Sequence, residues 1–150
     1  MEPKLERILI AVDSGPSSDA AVERGLSLAT DDGAEVIFVH VVAIPGEHFV
    51  GGGHNPDRVP ERGQTRSLLD TREKADEAGV KSRGELLVGY PPKQIAGLAD
   101  ELDVDLVIVG ARRLTGIKRF VLSSTSRALV GETDRPVLVV TEPAPVAAHT

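Results

Sequence analysis

The chain has 150 residues and a mass of 15.9 kDa, with 41% hydrophobic and 27% charged residues, close to ordinary globular usage. This length predicts a single α/β domain spanning residues 1–150. Its net charge of −6 argues against general binding to a nucleic-acid backbone, and the absence of cysteine excludes disulfides and thiolate-ligated metals.

Composition also limits where the protein acts. Aromatic residues make up 3% of the chain and tryptophan is absent, which disfavours stacking of single-stranded nucleic acid. No stretch approaches the roughly 18 consecutive apolar residues of a membrane span. The first residues, MEPKLERILIAVD, carry acids where a signal peptide needs an apolar run. We therefore expect a cytoplasmic protein that binds neither nucleic acid nor membrane.

Short apolar runs alternate with segments of helical periodicity, a pattern that predicts βαβ units around a parallel sheet. Most runs are continuously apolar and β-branched, as in strands that are covered on both faces. The five predicted strands are residues 7–12, 35–42, 85–88 within a weaker run from 81, 105–109 and 136–140.

The first two helices are predicted between the first three strands. Residues 17–30 begin with polar residues that can cap a helix and are followed by Gly33, a residue suited to ending one. Residues 61–78 have only a narrow apolar stripe before Gly79. We expect a helix in both places.

The last two helices flank the fourth strand. One begins near Pro92 and repeats apolar residues at helical spacing up to Leu102. The other covers residues 124–130, begins in a Ser-Ser-Thr-Ser run and is expected to end at Gly131.

Two segments lack a regular pattern. Residues 43–60, AIPGEHFVGGGHNPDRVP, are long for a connection and predict either a functional flap or a flexible insert. His48 and His54 lie in this segment, but two loop histidines are weak grounds for a metal site, and we predict none. Residues 142–150 are expected to fray.

Ligands of an open parallel sheet bind beyond the carboxyl ends of the strands, where the winding direction reverses. Residues 112–127, RRLTGIKRFVLSSTSR, follow the fourth strand and contain five basic residues and no acidic one. A cationic loop entering a helix N-terminus suits a phosphate group. A solvated basic loop explains the same charges equally well.

The standard catalytic motifs are missing. The phosphate loop of P-loop hydrolases, the nucleophile elbow and the zinc-binding helix motif do not occur, and no dinucleotide fingerprint follows the first strand. Asp13, at the end of that strand, can accept hydrogen bonds from a ribose or an adenine amine, or it can cap the following turn. His40 ends an apolar strand and fits a structural, hydrogen-bonded histidine better than a ligand or a catalyst.

Four ordered blocks of the sequence resemble the universal stress protein family across nearly the whole chain. They are RILIAVDSGPSSDAAVERGLSLA, EVIFVHVV, GYPPKQIAGLADELDVDLVIVGARR and DRPVLVV. The resemblance implies a doubly wound five-stranded parallel sheet of order 3-2-1-4-5, with helices on both faces. It also implies a homodimer that pairs through the last strand, whose exposed edge would otherwise leave backbone groups unpaired.

Many members of that family bind ATP or AMP through a G-x2-G-x9-G-[ST] motif after the fourth strand. Gly110 matches the first glycine and Ser124 the hydroxyl position, whereas Arg113 and Ser123 replace the other two glycines. A Cβ atom obstructs the positive φ or the close backbone approach that glycine permits. Arg113 either fills the phosphate site or adds a contact to phosphate.

The same resemblance implies the other site residues. Asp13 matches the acidic residue that contacts the nucleoside. Thr125 and Ser126 follow Ser124 as further groups on the phosphate side. The positions that line the adenine pocket are Ala11, Val12 and Val41.

The leading hypothesis is a homodimeric regulator of the stress response that holds ATP or AMP, with Mg²⁺ accompanying ATP. The alternative is an interaction protein of the same fold that binds no nucleotide because Arg113 blocks the pocket. No evident general base accompanies the Ser/Thr cluster, so we expect at most slow ATP hydrolysis. We assign no catalytic residue.

Overall fold

A computed structural model describes residues 4–13, 16–42, 62–113, 120–121 and 124–141. The predictions for the 43–60 loop with its two histidines, for the 142–150 tail and for Ser123 lie outside these residues. In chain order the elements are β1 (Arg7–Ala11), α1 (Pro16–Asp32), β2 (Glu35–Val42), α2 (Arg62–Glu77), β3 (Ser82–Val88), α3 (Pro91–Glu101), β4 (Leu106–Arg113), β5 (Phe120–Val121), α4 (Ser124–Glu132) and β6 (Val137–Thr141).

Five parallel strands form the sheet, in the order β3-β2-β1-β4-β6. The implied order 3-2-1-4-5 is therefore confirmed, with β6 as the fifth parallel strand. β1 lies at the centre, and the chain winds outward from it in one direction to β3 and in the other from β4 to β6. The reversal of direction falls between β1 and β4.

The strands are apolar along their length because helices cover both faces of the sheet. Ile8 and Ile10 of β1 pack in one core with residues of α1 and α2. Leu9 packs in a second core with residues of α3 and α4. All three side chains are fully buried. Both faces of β1 thus carry core residues, which explains the lack of polar alternation.

One strand differs from the sequence prediction. β4 does not end at residue 109 but continues to Arg113. Its last two residues, Arg112 and Arg113, pair antiparallel with Val121 and Phe120 of β5, a two-residue strand that the apolar pattern does not predict. The chain therefore doubles back on β4 just after the position of Gly110.

The helix ends are partly as predicted. Gly33 and Gly79 follow α1 and α2 with φ values of +70° and +73°, the left-handed conformation in which glycine commonly ends a helix. The expected stop at Gly131 is wrong. α4 continues past it, and the N–H of Thr133 still donates to the carbonyl of Leu129 at 3.1 Å. None of the described helices is long and apolar enough to cross a bilayer.

Arg135 ties the start of β6 to the turn between α3 and β4. Its Nε donates to Asp100 and its Nη1 to Asp103, both at 3.0 Å, and Nη1 also donates to the carbonyl of Val104 at 2.8 Å. The hydrogen bonds to Asp100 and Asp103 raise the pKa of the guanidinium above its ordinary value. This cluster lies at the amino ends of β4 and β6, away from the edge where ligands of such sheets bind.

Candidate functional site

A pocket of about 160 Å³ lies at the carboxyl ends of β1, β2 and β4. It occupies the reversal of winding direction between β1 and β4, and the N-terminal parts of α3 and α4 complete its wall. In open parallel sheets this is the position at which ligands bind.

Part of the wall is apolar. The strand ends contribute small and β-branched side chains, and α3 contributes the buried Ile95. Such a surface suits a flat, weakly polar ring, because contact with it removes apolar area from water on both sides. The apolar residues from the strands, from the position just after β1 and from α3 are Ala11, Val12, Val39, Val41, Pro91, Ile95 and Val109.

The rest of the wall is polar. Asp13 follows β1, and Thr125 and Ser126 lie in the first turn of α4. Ser126 is buried and Thr125 is half-buried. The first backbone N–H groups of a helix have no partner within it and attract negative charge. A carboxylate and the start of a helix therefore border the same apolar pocket.

Three hydrogen bonds hold the backbone where it leaves β1. The N–H of Val12 donates to the carbonyl of Val39 at 2.8 Å, which continues the pairing with β2. His40 Nδ1 lies 2.6 Å from the Val12 carbonyl, and the N–H of Asp13 donates to Ser18 Oγ at 2.9 Å. The structural hydrogen bond expected of His40 is present, and both His40 and Ser18 also line the pocket.

A second groove, of about 500 Å³, shares Asp13 with the pocket and runs between α1 and α2. Among the residues that the structure describes, its lining contains one basic side chain, Lys74, and five carboxylates. A phosphate group is repelled on this side, because like charges raise the energy of the bound state. The acidic residues of the groove are Asp13, Asp19, Asp70, Glu73 and Glu77.

The sequence profile of the universal stress protein family matches residues 4–141. The chain belongs to the universal stress protein family. A universal stress protein of Methanocaldococcus jannaschii is 31% identical to it over 144 residues, which cover 92% of this chain and 83% of that protein.

Solved universal stress proteins share the fold. One, crystallised in complex with cAMP, superposes with a TM-score of 0.69 at 21% identity, over 94% of this chain and 100% of that one. Another, from Archaeoglobus fulgidus in complex with dAMP, gives a TM-score of 0.66 at 22% identity, over 92% and 99% of the two chains. These comparisons establish that the described strands and helices follow the architecture of the universal stress protein family.

Most residues that the resemblance assigns to the site of a universal stress protein meet in the pocket. The side chains of Arg113 and Ser124, and Ser123 as a whole, lie outside the described part of the structure. The seven that line the pocket are Ala11, Val12, Asp13, Val41, Gly110, Thr125 and Ser126.

Arg113 departs from the universal stress protein motif without straining the backbone. It ends β4, where it pairs with Phe120 in extended conformation. Among the described residues other than glycine, Asp103 alone has a positive φ. Position 113 therefore does not need the conformational freedom of glycine.

Sequence reasoning missed several pocket residues of this universal stress protein. Ser18 had been assigned only to the helix cap, and His40 only to the strand. Ile95 belongs to the apolar repeat that predicts α3, and Pro91 lies three residues after the end of β3. The position of Pro91 at a strand end is a signal that could have found it, because the carboxyl ends of parallel strands meet at one edge.

Proposed function

We propose that this universal stress protein binds an adenine nucleotide, AMP or ATP, in the pocket and acts in the cytoplasm as a nucleotide-responsive regulator of the stress response. The observation that carries the proposal is an apolar pocket at the reversal of winding direction, with Asp13 and the first turn of α4 on its border. Each part of a nucleotide has a matching surface there.

The size and chemistry of the pocket support a purine base. Its volume of about 160 Å³ is close to the roughly 150 Å³ of an apolar cavity that accepts a benzene ring, which is room for one ring of a purine. Val41 and Ile95 belong to the apolar wall, against which a planar base loses little hydration and gains dispersion contacts. In the proposal, the ribose and phosphates extend from this pocket toward its polar border.

Charge fixes the direction of the nucleotide. The groove beyond Asp13 is acidic, so phosphates are excluded from it and are attracted to the first turn of α4. Asp13 then accepts hydrogen bonds from the ribose hydroxyls, and Thr125 and Ser126 donate to phosphate. Gly110 leaves room for the nucleotide, and Ser124 adds a hydroxyl on the phosphate side, as the family motif implies. Mg²⁺ accompanies ATP in this proposal.

Two solved universal stress proteins support the choice of ligand. One is in complex with cAMP and the other with dAMP, and both contain an adenine base and one phosphate. Their fold is that of this chain, and the pocket described above lies where that fold binds ligands.

Titration calorimetry of the nucleotide-stripped protein with AMP and with ATP plus Mg²⁺ tests the proposal. We expect saturable binding with a Kd below about 1 mM, which is a binding free energy beyond roughly −4 kcal/mol. GMP serves as the matched control ligand and should bind more weakly. Chromatography of the untreated protein should release adenine nucleotide.

No heat of binding at millimolar AMP and ATP would instead favour the interaction protein whose pocket Arg113 blocks. The variant R113G/S123G, which restores the glycines of the family motif, then distinguishes a blocked nucleotide site from the absence of any such site. Binding that appears only in R113G/S123G shows that the side chains at positions 113 and 123 together obstruct the site. Binding in neither chain removes the nucleotide site altogether.

We further propose that the protein is a homodimer that pairs through β6. Within the described sheet this strand pairs with β4 alone, so one row of its backbone groups faces outward. Its residues 137–140 are only half-buried, and Val130 of the neighbouring α4 is 57% exposed. Light scattering at micromolar concentration should give twice the chain mass of 15.9 kDa. A mass of one chain under those conditions contradicts the dimer.

A further inference from the structure

Side chains contact both the carbonyl and the N–H of one peptide group in the site. The carbonyl of Val12 and the N–H of Asp13 belong to the same planar unit. His40 of β2 contacts the carbonyl at 2.6 Å, and Ser18 of α1 accepts from the N–H at 2.9 Å. β1 has already ended at Ala11, so these side chains take the place of strand neighbours.

The hydrogen-bond chemistry of this arrangement is determined by its partners. A carbonyl only accepts, so Nδ1 of His40 must carry a proton and donate to Val12. The neutral ring is then the Nδ1–H form. Ser18 is 3% exposed, and its hydroxyl oxygen accepts from Asp13.

Fixing this peptide group restricts two backbone angles, ψ of Val12 and φ of Asp13. Those angles set the direction in which the Asp13 side chain leaves the backbone. Asp13, Ser18 and His40 all line the pocket. The Asp13 side chain is exposed, so core packing constrains it little, and the direction in which it leaves the backbone follows the two angles that Ser18 and His40 restrict.

We propose that Ser18 and His40 are positioning residues that orient the Asp13 carboxylate toward the ribose of the bound nucleotide. The inference rests on the proposed function, which gives Asp13 that contact. Both residues lie outside the family motif at residues 110–124, one in α1 and the other in β2. They contribute to the selectivity for ribose, and we expect their effect on binding to depend on the Asp13 carboxylate.

Calorimetry with two ligands tests this. AMP and 2′,3′-dideoxyadenosine monophosphate differ only in the ribose hydroxyls. Ser18→Ala and His40→Phe should each weaken AMP binding by about tenfold, the loss of one well-oriented charge-assisted hydrogen bond. The dideoxy compound should bind all variants within about twofold of the wild type. His40→Asn, whose amide nitrogen occupies the place of Nδ1, should recover most of the AMP affinity.

Combining Ser18→Ala with Asp13→Ala distinguishes a positioning role of Ser18 from a direct contact between Ser18 and the nucleotide. If Ser18 acts through Asp13, Ser18→Ala causes no further loss in the Asp13→Ala chain. Ser27→Ala, an exposed serine on the same helix, is the matched control and should leave AMP affinity unchanged. Thermal unfolding confirms that each variant is folded, and His40→Phe serves alone if Ser18→Ala does not fold.

Four results would overturn the inference. Equal weakening of both ligands, or additive losses with Asp13→Ala, would mean that the two residues are walls of the pocket and do not act through the carboxylate. Wild-type protein that binds neither ligand would overturn the proposed function as well. Wild-type protein that binds both ligands equally would leave the nucleotide site standing and remove the ribose contact.

Discussion

Replacing Gly25 by valine is expected to lower the free energy of unfolding by about 3 kcal/mol. Gly25 lies in α1, where the helix approaches β1 and β4. A Cβ atom at this position would overlap Cδ1 of Ile10 and lie 3.3 Å from Cδ1 of Ile108. Both isoleucines are fully buried, so neither has space to move aside. Urea unfolding followed by circular dichroism measures the loss.

Gly97→Val is the matched control for this substitution. Gly97 also lies within a helix, α3, but no heavy atom lies within 4 Å of the added Cβ position. Valine and glycine differ by less than about 0.5 kcal/mol in helix propensity, so the control should be nearly neutral. Equal shifts of the two urea midpoints would show that helix propensity, and not the approach of α1 to the sheet, decides the effect.

Asp13→Ala combined with Gly110→Leu is expected to weaken AMP binding by at least about 100-fold, which means no detectable binding by calorimetry. The first change removes the carboxylate proposed for the ribose. The second places a branched side chain on the pocket wall, whose volume of about 160 Å³ leaves no room for both a leucine and a base. Both residues line the pocket, so their losses should combine.

The control for that chain is Asp31→Ala combined with Gly97→Leu. It makes the same two chemical changes and removes the same charge, but neither residue borders the pocket. We expect its AMP affinity to stay within about twofold of the wild type. Unchanged affinity in the Asp13 and Gly110 variant, with unfolding curves that show a folded protein, would refute the assignment of the site.

The strands of the sheet were predictable because the residues that favour a strand locally are also the residues that the buried sheet needs. A strand such as β1, covered on both faces, needs the continuous apolar run that its sequence shows. β5 was not predictable in the same way. Its two residues exist as a strand only through pairing with the end of β4, and an apolar pattern carries no information on such a partner. The strand order came from the family resemblance.

Helix ends illustrate a second limit of the sequence. Glycine favours helix termination, and Gly33 and Gly79 end helices as expected. Gly131 does not, because the N–H of Thr133 finds its acceptor one turn back and the helix continues. A glycine permits the left-handed conformation without requiring it.

The site was predictable to the extent that it follows the strand ends. Asp13 lies just beyond β1 and Gly110 lies in the second half of the neighbouring β4, so their meeting follows from the sheet order. The place of Ile95 depends on how α3 packs, and the contact of Ser18 with Asp13 depends on the geometry of one turn. The spacing of residues in the sequence predicts neither of these two contacts.

The cluster of Arg135 and the pocket occupy opposite edges of one sheet. At the amino edge, Arg135 joins Asp100 and Asp103 and fixes how β6 begins. At the carboxyl edge, Thr125 and Gly110 border an open space. Substitutions that change which molecule is recognised therefore leave the anchoring of the strands intact. In evolution, ligand choice can diverge among proteins of this architecture while thermal stability is maintained.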